Sequence, residues 1–197
     1  MKHLPYLEIE KEADAFARQY NSAGTIPVPV DDIIELDLRL RVEAHKGLFK
    51  NLSIDAFLSR DFTEIHIDEE NYLGQTNRSR FTIAHEIGHY VLHREYAQSS
   101  KSIADWKVFI LGAGDERDIA ESQANNFAGC LLMPRELAIE QFETHKKRAT
   151  ERFRQAGLST PNDSMLIDYA SNELAKFFDV SDQVAQIRTT RILKYSK

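Results

Sequence analysis

His85, Glu86 and His89 stand in the order His-Glu-Ile-Gly-His, a spacing that carries chemistry when the segment is helical. Residues i and i+4 stack on one helical face, so both imidazoles can reach a single divalent ion at roughly 2.0 to 2.1 Å. Glu86 is turned one residue around the helix from His85, beside the ion but off the line of the ligands. A carboxylate placed there can act as general base on water during hydrolysis of an amide.

Two histidines leave such a site short, because a catalytic zinc commonly takes three protein ligands and keeps one open position. His93 follows His89 by four residues, which displaces it about 6 Å along the helix axis; a supporting or packing role suits it better than ligation. The continuation that places a third histidine after a glycine turn in metzincins does not follow here. Glu121 is the better candidate. In the stretch ERDIAESQANNFAGCLLMP, Ile119, Gln123, Phe127, Cys130 and Leu131 trace much of one helical side, and Glu121, Ala124, Asn125 and Ala128 trace another. Small residues at Ala124 and Ala128 would let this helix approach the histidine helix closely. On spacing alone, Glu121 is equally readable as an ordinary solvated glutamate.

These residues need elements to position them. Phe81, Ala84, Ile87, Val91 and Leu92 lie on one side of a helix through SRFTIAHEIGHYVLHREY, with capping candidates at Thr76, Asn77 and Ser79. A second helix spans Asp115 to Leu132 and is stopped by Pro134. Upstream, Ala13, Phe16, Ala17 and Tyr20 recur at helical spacing and end in an Asn21 to Gly24 turn signal. TIPVPVDDIIELDL reads as an extended segment followed by a short helix capped by Asp31 or Asp32. From Leu38 to Ile67 the pattern shifts to short strands, with Leu38, Leu40 and Val42, then Ile65 and Ile67, alternating with polar residues. This predicts a small, mostly antiparallel sheet, then a loop from Asn71 to Asn77. Helices are expected over 136–153, 164–178 and 181–194. The loop signal GLSTPNDS sets a domain boundary between 1–156 and a C-terminal helical subdomain, 157–197, packed on the core.

Bulk properties narrow the classes. The chain has 197 residues, 42% hydrophobic and 28% charged, with a net charge of −6, as expected of a compact folded protein and not of a disordered one. The longest apolar runs, such as Val108 to Ala113, are far too short to cross a bilayer. The N-terminal MKHLPYLEIEKEAD lacks the apolar stretch of a secretory signal, so a cytoplasmic protein is expected. Cys130 is the single cysteine; it excludes an internal disulfide and multi-cysteine metal sites, and its apolar neighbours favour a packing role over a redox one. The negative net charge weighs against direct nucleic-acid binding. The basic cluster Lys146, Lys147, Arg148, Arg152 and Arg154 reads first as a solvated helix face.

RFTIAHEIGHYVLH followed by ESQANNFAGCLLMP resembles the ImmA/IrrE family of bacterial and phage zinc metallopeptidases. The likeness is specific across Arg80 to Pro134. It is looser in PVPVDDIIELDL and in LAKFFDVSDQVAQIR. The resemblance implies an α+β fold: a zincin-like metalloprotease core with a small antiparallel-rich sheet, an active-site helix and a helical C-terminal region. It implies one zinc ion held by His85, His89 and Glu121 in the gluzincin manner, Glu86 as catalytic base, and Asn125 supporting a ligand. It also implies a chain without the sensory domain of some larger relatives. Members cleave helix-turn-helix repressors at specific sites, so a repressor is the expected partner.

Three readings differ in class. The first is an endopeptidase acting on a regulatory protein; the second is a non-catalytic, metal-stabilised regulator that works by binding. The third is a DNA-binding module built on FFDVSDQVAQIRTTRI, relying on Arg188 or Arg191. Tyr72, Tyr90, Tyr96 and His145 are oxyanion donors by residue type only. The strand Thr63 to Ile67 is a candidate wall for an extended substrate.

Overall fold

The computed structural model describes residues 2–74, 76–95 and 114–196, with the backbone alone at Thr76; the apolar run Val108 to Ala113 lies outside them. The chain divides into two compact units, Met1–Leu131 and Leu132–Lys197. The boundary expected after residue 156 followed the loop signal near Gly157. That loop joins two helices within the second unit, so the helix before it belongs with the C-terminal helices.

The first unit opens with α1 (Tyr6–Tyr20), whose Ile9, Ala13 and Phe16 face inward. Asn21 closes it: its side chain donates to the Thr25 carbonyl and accepts from the Thr25 N–H, each at 3.0 Å. After the proline segment come α2 (Val30–Asp32) and a π-helical stretch, Ile33–Asp37. Three strands follow, β1 (Arg41–His45), β2 (Ala56–Leu58) and β3 (Glu64–Asp68), with α3 (Leu48–Leu52) between β1 and β2. The small sheet is mixed, in the order β1-β3-β2. β2 pairs antiparallel to β3, with Leu58 opposite Ile65, while β1 pairs parallel to it, with Val42 opposite Ile65. The parallel pairing is possible because α3 and β2 fill the crossover connection that parallel neighbours need.

Short helix α3 stands within the stretch where the sequence pattern suggests short strands, and α4 (Glu69–Gly74) overlaps the loop expected from Asn71. Their common cause is Asp68, 2% exposed, whose Oδ2 accepts from the Phe49 N–H at 2.9 Å and whose Oδ1 accepts from the Asn71 N–H at 3.1 Å. One carboxylate therefore satisfies an orphan amide in the first turn of each helix. The Phe49 amide foremost, with Asn71 in support, holds the Asp68 carboxyl below the usual carboxylate value despite burial. Beside it Asp55 accepts from the Asn71 side chain and from Arg78 Nη2, the latter at 2.7 Å. This network fixes the start of α5 (Thr76–Leu92).

α5 carries Ile83, Ala84 and Ile87 fully buried, yet it also buries the polar Thr82, Glu86 and His89, and His93 just past its end is buried too. A helix wrapped by protein on most sides shows no clean apolar stripe. α6 (Asp115–Leu132) ends at Met133-Pro134 as expected, and its Phe127 meets Phe16 of α1 edge-on at 5.9 Å. Cys130 is buried with Sγ 3.6 Å from the Tyr6 hydroxyl, a packing role.

The second unit packs α7 (Arg135–Gln155), α8 (Asp163–Phe178) and α9 (Asp182–Lys194) on one another. Asn162 and Ser181 cap α8 and α9, accepting from Met165 N–H at 2.9 Å and Val184 N–H at 3.2 Å. Leu166, Ala170, Leu174 and Phe178 of α8 close the core with Phe142 and Ile192. Arg188 is 2% exposed and its Nε donates to the Met133 carbonyl at 3.1 Å. It is thus unavailable to a phosphate backbone. In the basic cluster, Lys146 pairs with Glu143, Arg154 with Glu151, and Arg152 donates to the Tyr169 hydroxyl, the pattern of a solvated face.

Candidate metal centre

α5 and α6 bring three donors together. His85 Nε2 and His89 Nε2 lie 3.0 Å apart, His85 Nε2 is 3.3 Å from Glu121 Oε2, and His89 Nε2 is 3.6 Å from Glu121 Oε1. Among the described residues this is the group of histidine and carboxylate side chains able to hold a metal ion. A tetrahedral ion with bonds of about 2.0 to 2.1 Å keeps its donors about 3.3 to 3.4 Å apart; the two imidazole nitrogens lie slightly closer than that, and each has a different oxygen of the Glu121 carboxylate near that distance. The donor set fits a divalent ion of the borderline-soft kind.

The outer ring nitrogens support this use. His85 Nδ1 is 3.0 Å from Asn125 Oδ1; the amide oxygen can only accept, so Nδ1 carries a hydrogen, and in the neutral ring Nε2 then presents a lone pair. His89 Nδ1 faces His93 Nδ1 at 2.9 Å. Two lone pairs aimed at one point 3.0 Å across repel unless a cation or a proton lies between them.

Glu86 lines the same cleft and is 3% exposed. Burial pushes its carboxyl up to about 7; the charge of His85 opposes this, that of Glu121 adds to it, and a hydrogen bond from the Leu58 backbone N–H opposes it. Burial also drives His89 well below the usual imidazole value, helped by the charges of His85, His93 and Arg117. Burial would lower His85 as well, but its hydrogen bond to Glu121 and the charges of Glu86 and Glu121 carry it above the ordinary value. For Glu121 burial pulls upward and the hydrogen bond and charge of His85 prevail, leaving the carboxyl below its usual value.

The cleft holds about 260 Å³ and is lined by every residue from Ser53 to Leu58, by Phe81, Thr82, His85, Glu86 and His89 of α5, and by Arg117, Glu121 and Asn125 of α6. The strand at the cleft is thus β2 and not Thr63–Ile67, because β3 is the central strand, paired on both sides. Among the oxyanion candidates, Tyr72 and Tyr90 are not cleft-lining residues; Tyr90 instead meets Phe62 edge-on at 6.0 Å and Arg94 at 3.3 Å. His145 belongs to α7 of the second unit, and Tyr96 lies outside the described residues. Arg117, one turn before Glu121 and 3.9 Å from its Oε1, went unnoticed in the sequence. The i,i+4 spacing to Glu121 was the available signal.

The chain matches the peptidase family of the IrrE N-terminal-like domain over residues 39–190, and it belongs to that family. The match runs from the sheet through α9, across both compact units. Family membership and the three-donor group together point to a metal-dependent peptidase. A solved structure of a Mycobacterium tuberculosis transcriptional regulator aligns with 92% of this chain and 50% of that one, at a TM-score of 0.51 and 15% identity. The chain spans about half the length of that regulator, and at this identity the likeness shows the fold alone. Among curated proteins no sequence match is found. No helix among the described residues is long and apolar enough to cross a membrane.

Proposed function

We propose that this chain is a zinc-dependent endopeptidase of the cytoplasm, with one zinc ion on His85, His89 and Glu121 and with Glu86 as general base. The observation that carries this reading is the convergence of His85 Nε2 and His89 Nε2, 3.0 Å apart, on the Glu121 carboxylate, whose Oε2 and Oε1 lie 3.3 and 3.6 Å from them respectively, next to the buried Glu86 in one cleft. When bound, the ion supplies Lewis-acid polarisation of a carbonyl and acidification of water. Glu86 takes the proton of the attacking water and returns it to the leaving amine, a task for which a carboxyl raised toward neutrality is suited. Asn125 holds the His85 ring in the tautomer that bares Nε2. β2 is an edge of the sheet and lines the cleft, so an extended substrate segment can add to it as a further strand.

The substrate is a regulatory protein, a helix-turn-helix transcriptional repressor. Family resemblance supports this. The test is incubation of purified protein with repressor, with and without chelator, beside Glu86→Gln. Cleavage that needs metal and is lost in the variant, while zinc and repressor binding persist, is expected. If Glu86→Gln keeps full biological activity, the non-catalytic binding account replaces this one.

A further inference from the structure

The two imidazoles of the metal centre are held from behind in different ways. His85 leans on an amide oxygen, whereas His89 leans on a second ring. His93 Nδ1 lies 2.9 Å from His89 Nδ1, His93 Nε2 lies 2.9 Å from Gln123 Oε1, and Gln123 Nε2 donates to the Lys2 carbonyl at 3.0 Å. His93 and Gln123 are each 3% exposed, so bulk water is a poor substitute for any link.

With both rings neutral, only one placement of hydrogens satisfies the chain. The Lys2 carbonyl can only accept, so the Gln123 amide nitrogen faces it and the Gln123 oxygen faces His93. His93 must then carry its hydrogen on Nε2, and its Nδ1 is a lone pair. That lone pair accepts from His89 Nδ1–H, which leaves His89 Nε2 bare toward Glu121 and His85. Turning the Gln123 amide over sets two carbonyl oxygens against each other at 3.0 Å. Protonating His93 on Nδ1 would force the His89 hydrogen onto Nε2, where a ligand must have none.

We propose that His93 and Gln123 are positioning residues for the metal centre, wiring the backbone carbonyl of Lys2 to the tautomer and orientation of His89. The inference rests on the metal-site reading above. It makes the segment before α1 part of the support of the site, although Lys2 and Gln123 are 121 positions apart. Removing a partner that orients a ligating histidine typically costs about 10- to 100-fold in metal affinity.

Long-range proton–nitrogen NMR on zinc-loaded protein reads the tautomers directly: His93 is expected to carry its hydrogen on Nε2 and His89 on Nδ1. Zinc affinity by competition, and the visible spectrum of the cobalt-substituted protein, are then compared in His93→Phe, His93→Asn and Gln123→Leu. His93→Phe loses about 10- to 100-fold and shifts the cobalt bands. His93→Asn, which restores an acceptor near the place of Nδ1, recovers most of the affinity, and Gln123→Leu falls between them. A hydrogen on His93 Nδ1 in the wild type overturns the inference, as does a His93→Phe variant with wild-type affinity and spectrum. If His93→Phe does not fold, the wild-type tautomers and Gln123→Leu decide. Wild-type protein that takes up no zinc would instead overturn the site itself.

Discussion

A Cβ atom added at Gly88 would stand 3.0 Å from the Cα of Ala124 and 3.1 Å from its carbonyl oxygen. The histidine helix and the glutamate helix therefore meet backbone to backbone, one residue before His89 and three after Glu121. Neither obstructing atom belongs to a flexible side chain. Gly88→Ala should push the helices apart, costing about 1 to 3 kcal/mol in stability and moving the Glu121 carboxylate away from the two imidazoles. Thermal unfolding and zinc competition measure the two effects; a variant with unchanged affinity would show that the contact does not set the site.

Chelation should lower the melting temperature and zinc should restore it, because an ion bound by the folded chain alone stabilises it by about 4 kcal/mol at a thousand times its Kd. Metal uptake also competes with protons at His85, held above the ordinary imidazole value mainly by Glu121 and Glu86. Binding at pH 7 is expected to release protons, and affinity to weaken as pH falls through the His85 range. Calorimetry in buffers of different ionisation enthalpy tests this, and buffer-independent heats would contradict it.

Glu86 must be ionised to accept a proton. Burial raises its carboxyl from 4.5 to about 7 in the metal-free chain, and a nearby dication pulls it back down. The acid limb of kcat/KM is therefore expected between those two values, with activity lost as pH falls below it. A profile flat down to about pH 4 would exclude Glu86 as the base.

Asp68 gives an acid-stability prediction of definite sign. Its folded-state value is depressed, with the Phe49 amide as main cause, so its contribution is present above the ordinary carboxylate value and is lost as pH falls through the depressed one. Asp68→Ala should cost about 1 to 3 kcal/mol at pH 7, the worth of two caps. The gap to wild type in urea unfolding should shrink near about pH 3. An equal gap at both pH values would mean that the caps do not depend on charge.

How much was legible follows from range. The pairing of His85 with His89 is local helical geometry, readable from four positions of sequence. Glu121 was readable as a candidate because Ala124 announces a close helix contact, but its partner at Gly88 emerges only when both helices are placed. The link from Gln123 to Lys2 has no local signal at all. Asn71, Gly74 and Asn77 look like loop residues, and the cap that makes 69–74 helical comes from Asp68, whose other oxygen serves Phe49 nineteen residues away. The parallel pairing of β1 with β3 was hidden because period-two alternation is the same for either strand sense.

Diffraction at the zinc absorption edge, on crystals of protein grown with zinc, tests the central claim most directly. One anomalous peak is expected about 2.0 to 2.1 Å from His85 Nε2, His89 Nε2 and a Glu121 oxygen, with the Glu86 carboxylate facing the remaining position. A peak held by other residues, or well-ordered protein in which these three side chains point apart, would contradict the account.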